Sequence, residues 1–203
     1  MSSDKKTTID MIRHGEPVGG KRYRGQVDDP LSELGWRQMR AAIADHRPWE
    51  FIVSSTLSRC AAFAKEVADN SKTPLRLDEG FKEKAWGEWE GRTPAELNKN
   101  DPSTVNRHLL DPINNQPNGA EPIIEFQKRV LASWERLTTE HQHQHVLLVG
   151  HAGVIRAIIS HTLQMPVEHM FRIQVANASI TRIELQAHNN GVFPRLIFHG
   201  GQL

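Results

Sequence analysis

Short apolar runs at 7–12 (TTIDMI), 51–55 (FIVSS) and 145–150 (HVLLVG) each give way to polar or basic residues, with amphipathic stretches between them. This alternation constrains the fold more than any other feature. A brief continuous apolar run bounded by turn residues is the pattern of a strand buried on both faces. Such strands belong to sheets covered by helices on both sides. The intervening stretches supply the helices. Residues 30–46 predict one, with Ser32 as N-cap and Leu34, Met39, Ala42 and Ile43 on its apolar side. Residues 57–70 predict a second, opening on the capping-type Ser58, and residues 153–163 a further one. Residues 121–141 predict a long amphipathic helix with Pro122 in its first turn. A short strand is expected near 74–77 and late strands at 178–186 and 192–199, the last at an edge because of Pro194. The expected class is α/β, with a single domain over residues 1–203.

A chain of 203 residues fits one domain and can bury roughly 70% of its unfolded surface. No apolar run approaches the roughly 18 residues of a membrane helix, and the first residues lack the apolar core of a signal peptide, so the expected compartment is the cytoplasm. The single cysteine, Cys60, excludes an internal disulfide framework and a thiolate metal cluster. A net charge of +1 gives no reason to expect nucleic acid or an anionic membrane as partner. A homodimer through an edge strand or outer helix is compatible with the pattern.

In open α/β sheets ligands gather beyond the C-terminal ends of the strands. Arg13-His14, Ser54-Ser55 with Arg59, and His151 each follow a predicted strand, so three strand ends deliver polar groups to one place. Arg13, Arg59 and a helix N-terminus near Ser58 would make an anion site, since guanidinium matches phosphate oxygens as a bidentate fork. A neutral His14 beside bound phosphate would be a nucleophile. Gly15 would let the backbone approach closely. His151 would stabilise transition-state charge, and a nearby carboxylic acid would protonate the leaving oxygen. Each piece alone is more often ordinary: an Arg-His pair at the surface, a serine pair in a turn, a solvated arginine. Their common position at strand ends is what joins them. Lys21, Arg22 and Arg24 form either a solvated loop or a collar for an anionic substrate. His141, His143 and His145 read as a polar connection, the other reading being a weak metal site. Trp86 and Trp89 read as core or wall packing.

The blocks "RHGE" (13–16), "YRGQVDDPLSELG" (23–35), "SSTLSRCAAFA" (54–64), "EKAWGEWEG" (83–91), "NGAEP" (118–122) and "VGHAGVIR" (149–156) together resemble the histidine phosphatase superfamily. That group includes the cofactor-dependent phosphoglycerate mutases and the small phosphatases similar to α-ribazole phosphatase. The resemblance runs from residue 9 to about 183. It implies a three-layer α/β/α sandwich of the phosphoglycerate mutase type, with a mostly parallel central sheet. It also implies a phosphohistidine intermediate and no required metal or cofactor. On it, His14 is the phosphorylated nucleophile, Arg13 and Arg59 are phosphate ligands, Glu83 is the general acid and base, and His151 is the second catalytic histidine. Glu79, Glu88 and Glu90 stand close to Glu83 and read as structural. The asparagine common after the first motif is missing, with Gly19, Gly20 and Lys21 nearby instead. Gln26 replaces a common tryptophan and Phe63 a common threonine. Arg24, Gln26 and Lys21 are the candidate substrate contacts, and residues 78–120 the lid or specificity wall. "NASIT" from Asn177 reads as a strand entry. The expected activity is hydrolysis of a small anionic phosphate ester. A mutase-type phosphotransferase and a silent phospho-ligand binder are the alternatives.

Overall fold

The computed structural model describes residues 6–188 and 191–201. Strand β1 (Lys6–Arg13) sets the layering, because side chains alternate across a strand. Ile9 and Met11 enter one apolar core, Ile12 the other. Strand β4 (His145–Gly150) does the same, with Val146 and Leu148 on the first side and Leu147 and Val149 on the second. Helices α5 (Ile123–Glu140) and α6 (Ala152–Thr162) close the first core; α1 (Glu33–Ile43) and α2 (Ser58–Ser71) close the second. The result is the expected three-layer sandwich.

With β2 (Phe51–Ser54), β3 (Leu75–Leu77), β5 (Ile180–His188) and β6 (Gly191–Gly201), the sheet has the order β3-β2-β4-β1-β5-β6. The first four strands in the chain run parallel, while β5 pairs antiparallel with β1 and with β6. Pro194 lies on the edge strand, where a missing N–H is tolerated. Among the described residues no helix is long and apolar enough to cross a membrane.

One feature of the sequence reading needs correction. Ser58 does not cap α2: Leu57 holds the cap position without a side-chain bond, and Ser58 is the first helical residue. Its N–H is instead taken by the Asp28 carboxylate at 2.7 Å, an anion at a helix N-terminus supplied from the preceding loop. Residues 78–120, read as the lid or specificity wall, form a folded subregion. They hold two 3-10 turns and the short helices α3 (Pro94–Leu97) and α4 (Thr104–Leu110). These fold onto a satellite core of Trp86, Trp89, Leu97 and Val105, with Tyr23 and Phe171 packed against it. The tryptophans are therefore core, as read.

The one acidic residue of β1, Asp10, is fully buried. It accepts from Arg182 at 2.7 and 3.0 Å, from Trp49 Nε1 at 2.9 Å, and lies 2.8 Å from His145 Nε2. His145 is thereby used in the core. His141 stacks on Phe51 at 3.8 Å and lies 2.7 Å from Gln144 Oε1, so the histidine-rich stretch serves the helix-to-strand connection. Burial pushes the Asp10 pKa up, but hydrogen bonds from His145, Arg182 and Trp49 outweigh it and bring it down to about 2 from 3.8. The unfolded chain thus binds this proton near pH 4 and the folded chain only near pH 2. The stabilisation is complete above pH 4 and disappears as the pH falls from about 4 to about 2. Asp10→Asn should cost about 3 kcal/mol at neutral pH, because it leaves Arg182 without its counter-ion. Urea unfolding from pH 7 to 2.5 should show the difference between wild type and variant shrinking in that window. A difference that stays constant with pH would remove the charge from the explanation.

Candidate active site

The parallel ladders are level where it matters. Arg13 pairs with Gly150, and Val149 pairs with both Ile12 and Ser54, so β1 and β4 end on one row and β2 one residue short of it. His14 and His151 therefore leave the sheet side by side, with Ser55 one step behind them at the level of Gly150. The connections then diverge: β1 leads to α1 on one face and β4 to α6 on the other. The two imidazoles sit in the crevice this divergence opens, with ring centroids 5.2 Å apart.

The loop bearing His14 is clamped by backbone contact. A Cβ on Gly15 would stand 2.2 Å from the Gly35 carbonyl oxygen, and one on Gly35 would stand 2.1 Å from that of Glu16, so neither position admits a side chain. Ser32 caps α1 as expected, and its N–H and hydroxyl both donate to the Glu16 carbonyl. On the other side, Ala178 takes a left-handed conformation and its N–H points at the carbonyls of Arg13 and His14. The "NASIT" run is thus a brace for the nucleophile loop as well as a strand entry, a role that no residue type in it announces.

His14 Nδ1 lies 2.7 Å from the Gly15 carbonyl, which only accepts, so Nδ1 carries the hydrogen and Nε2 keeps its lone pair. Burial lowers the His14 pKa well below 6.5, and the charges of Arg13, Arg59 and Arg24 lower it further. His151 is lowered in the same way by burial and by Arg59, His14 and Arg13. Its Nε2 lies 2.8 Å from the Ser55 hydroxyl, which also accepts from Leu57 N–H. Cys60 packs against His151, its thiol pushed up to about 12 by burial and so inert.

Arg13 Nη1 donates to the Val175 carbonyl at 2.7 Å, and Arg59 donates to those of Gly25 and Val27 at 2.7 and 2.8 Å. The Nε of each arginine is buried without a partner. Glu83 is half-buried; its Oε2 accepts from Gly153 N–H at the start of α6 at 3.0 Å and its Oε1 from Lys84 N–H at 2.9 Å. Gly153 is required here, since a Cβ would fall 2.1 Å from Glu83 Oε1. The other glutamates are engaged elsewhere: Glu79 pairs with Lys82, Glu88 accepts from Asn118, and Glu90 accepts from the N–H groups of Trp86 and Gln26.

The loop 17–30 departs from expectation. Gly19 and Gly20 form a turn with positive φ, and no side chain there replaces the missing asparagine. Arg24 is buried, held by Asp29 and by the Val18 carbonyl, and its charge reaches His14. Lys21 is exposed and has no hydrogen bond or ion pair among the described residues. Gln26 is exposed in a groove lined by Asp78, Glu79, Lys82 and Arg129, which includes neither imidazole. Of the three candidate substrate contacts, only Arg24 joins the cluster. Ser58, its N–H taken by Asp28, does not offer that donor to an anion. Phe63 is core packing. Arg156, quoted within a motif but given no role, stands near Glu83 and Arg13.

A neutral imidazole with a free lone pair, ringed by guanidinium groups and with a carboxyl group alongside, suits attack on a bound phosphoryl group. Comparison with known proteins agrees. Residues 9–193 match the model of the histidine phosphatase superfamily, branch 1. A glucosyl-3-phosphoglycerate phosphatase of Mycolicibacterium vanbaalenii is 32% identical over 78% of this chain and 75% of its own. An adenosylcobalamin/α-ribazole phosphatase of Salmonella typhimurium is 27% identical over 86% and 89%. The native structure of a mycobacterial glucosyl-3-phosphoglycerate phosphatase superposes with a TM-score of 0.85 at 26% identity, covering 98% of this chain and 100% of the other. An Entamoeba histolytica phosphoserine phosphatase in complex with 3-phosphoglyceric acid gives 0.79 at 25% identity, covering 97% and 98%. The chain belongs to the histidine phosphatase superfamily, branch 1, and is a phosphomonoesterase of that family.

Proposed function

We propose that this phosphatase hydrolyses small anionic phosphate monoesters through a phosphohistidine formed on His14, with Glu83 as general acid and base. The observation that carries the reading is the His14–Gly15 hydrogen bond, which leaves Nε2 as the nucleophilic nitrogen in a ring kept neutral by burial.

Arg13 and Arg59 hold the phosphate oxygens, with Arg24 adding charge behind them. His14 Nε2 attacks phosphorus and the P–O bond to the alcohol breaks. Protonated Glu83 gives its proton to the leaving oxygen, and the alcohol departs. His151 donates a hydrogen bond to the phosphoryl oxygens as charge develops. Water then gives a proton to Glu83 and its oxygen to phosphorus, the N–P bond breaks, and inorganic phosphate leaves with His14 restored. The relatives named above are phosphatases, which supports water as acceptor over the second hydroxyl of a mutase. The five groups stand together, which speaks against a silent binder. Cys60 is free and buried, which supports the cytoplasm as compartment.

Mixing with p-nitrophenyl phosphate and quenching in base should trap phosphate on His14 by mass spectrometry, with none in His14→Ala and turnover unaffected by chelator. Phosphate found on another residue, or activity that needs a divalent ion, would overturn the mechanism.

Glu83→Gln should separate leaving groups. Glycerol 3-phosphate needs a proton on its alkoxide and should lose about 10²–10⁴-fold in kcat. The first step with p-nitrophenyl phosphate, whose leaving group departs without protonation, should slow far less in a single turnover. Equal losses on both would assign the acid to another residue.

Unfolded imidazoles take protons near pH 6.5 and these folded ones only well below it, so the site's cost in stability grows as the pH falls through 6.5. In nitrogen NMR of the free enzyme at pH 6.5, His14 should be the neutral Nδ1–H tautomer and His151 neutral. A titration midpoint near 6.5 for His14 would remove the observation on which the reading stands.

A further inference from the structure

We infer that Arg156 forms a second anion subsite beside the leaving group, making this a phosphatase for monoesters whose alcohol carries a carboxylate close to the ester oxygen. The inference rests on the phosphatase reading above and names the substrate class of the same site.

The argument begins on α6. Gly153, whose N–H holds the Glu83 carboxylate, and Arg156 are three residues apart and share one face of the helix. Arg156 thus lies one turn further along the face of α6 that holds Glu83. Its Nε donates to the Ile173 carbonyl at 2.8 Å and its guanidinium rests over the Phe171 ring, 5.6 Å from the centroid. These two contacts fix the plane of the group. The terminal nitrogens have no hydrogen-bond partner among the described residues, and they are absent from the buried unpartnered atoms, so they reach solvent. An arginine is therefore held by one edge with its other edge open. Nothing in the hydrolytic steps uses it.

The charge balance selects the ligand. The titratable groups that act on Arg156 are Glu83, Tyr23, whose phenol burial pushes above its usual pKa of 10 and so keeps uncharged at neutral pH, and, across the site, Arg13. Arg13 is committed to the transferred phosphoryl group. That leaves one guanidinium charge and one open fork, which match the two oxygens and the single charge of a carboxylate. A second phosphate, with more negative charge, would need another cation and would stand against Glu83.

The test uses matched probes: 3-phosphoglycerate, and glycerol 3-phosphate, in which a hydroxymethyl group replaces the carboxylate. Wild-type kcat/KM should favour 3-phosphoglycerate by about 10–100-fold, the range of a charge-assisted pair. In Arg156→Gln that ratio should fall at least tenfold, mainly through a higher KM for 3-phosphoglycerate. Arg156→Lys, which keeps the charge but not the fork, should fall between. A second measurement needs no variant: in wild type, 3-phosphoglycerate should compete with p-nitrophenyl phosphate at least tenfold better than glycerol 3-phosphate does. A wild-type ratio near one, or a ratio unchanged in Arg156→Gln, overturns the subsite while p-nitrophenyl phosphate turnover continues. A wild-type protein that forms no phosphoenzyme and hydrolyses none of the three overturns the phosphatase reading, and the subsite with it.

Discussion

Everything at the catalytic end of this molecule depends on the register of three parallel strands. Arg13 stands opposite Gly150, and Val149 opposite both Ile12 and Ser54. Backbone hydrogen bonds hold that row, and each residue along a strand advances about 3.3 Å. A slip of one residue would carry His14 past His151 by that distance and turn its side chain to the other face. The apolar alternation forbids the slip, because Ile9, Met11, Val146 and Leu148 would exchange cores with Ile12, Leu147 and Val149. Packing that says nothing about chemistry thus determines the distance between two imidazoles.

The electrostatics follow from placing those imidazoles among cations. Two buried histidines, the buried Arg59 and the half-buried Arg13 meet in one crevice, and the guanidinium groups are held by backbone carbonyls, which orient them without neutralising them. Beyond burial, which acts most, the positive field helps to keep the imidazoles unprotonated, at a cost in folding free energy. It also makes the crevice wait for an anion. The Nε of each of these two arginines is buried without a partner, as expected of donors that a bound anion would satisfy.

How much of this was legible in the sequence differs by level. The layers were, because short apolar runs separated by helical periods admit few architectures. The meeting of His14, His151, Arg13 and Arg59 was, because strand ends and motif blocks both mark them, whereas Glu83 is marked by its motif block alone. The helix cap at α2 was misread: Ser58 is the right residue type one position late, and the true partner, Asp28, is thirty residues upstream in a loop. The brace at Ala178 left no trace, since an alanine at φ 56° gives no signal in its residue type. Lys21 was selected from the basic run it forms with Arg22 and Arg24, and Gln26 because it stands where a tryptophan is common, yet the loop turns only Arg24 inward. Arg156 was overlooked for the opposite reason: it lies within a recognised block, but its meaning comes from Ile173 and Phe171, which no local pattern connects to it.

The middle and the C-terminal end of β1 show why such a site is tolerated. At its middle, Asp10 meets Arg182, His145 and Trp49, so every strong polar group has a partner and the carboxylate stays ionised down to about pH 2. At its C-terminal end, a few residues further on, the polar groups are buried with partners missing and like charges together. The first arrangement stabilises the fold without contributing to chemistry, and the second does the reverse. One strand carries both because it lies inside the sheet, bonded on either side by β4 and β5, so strain at its end cannot be relieved by moving the strand. The imidazoles must therefore find relief from the ligand, and binding energy for phosphate is the form that relief takes.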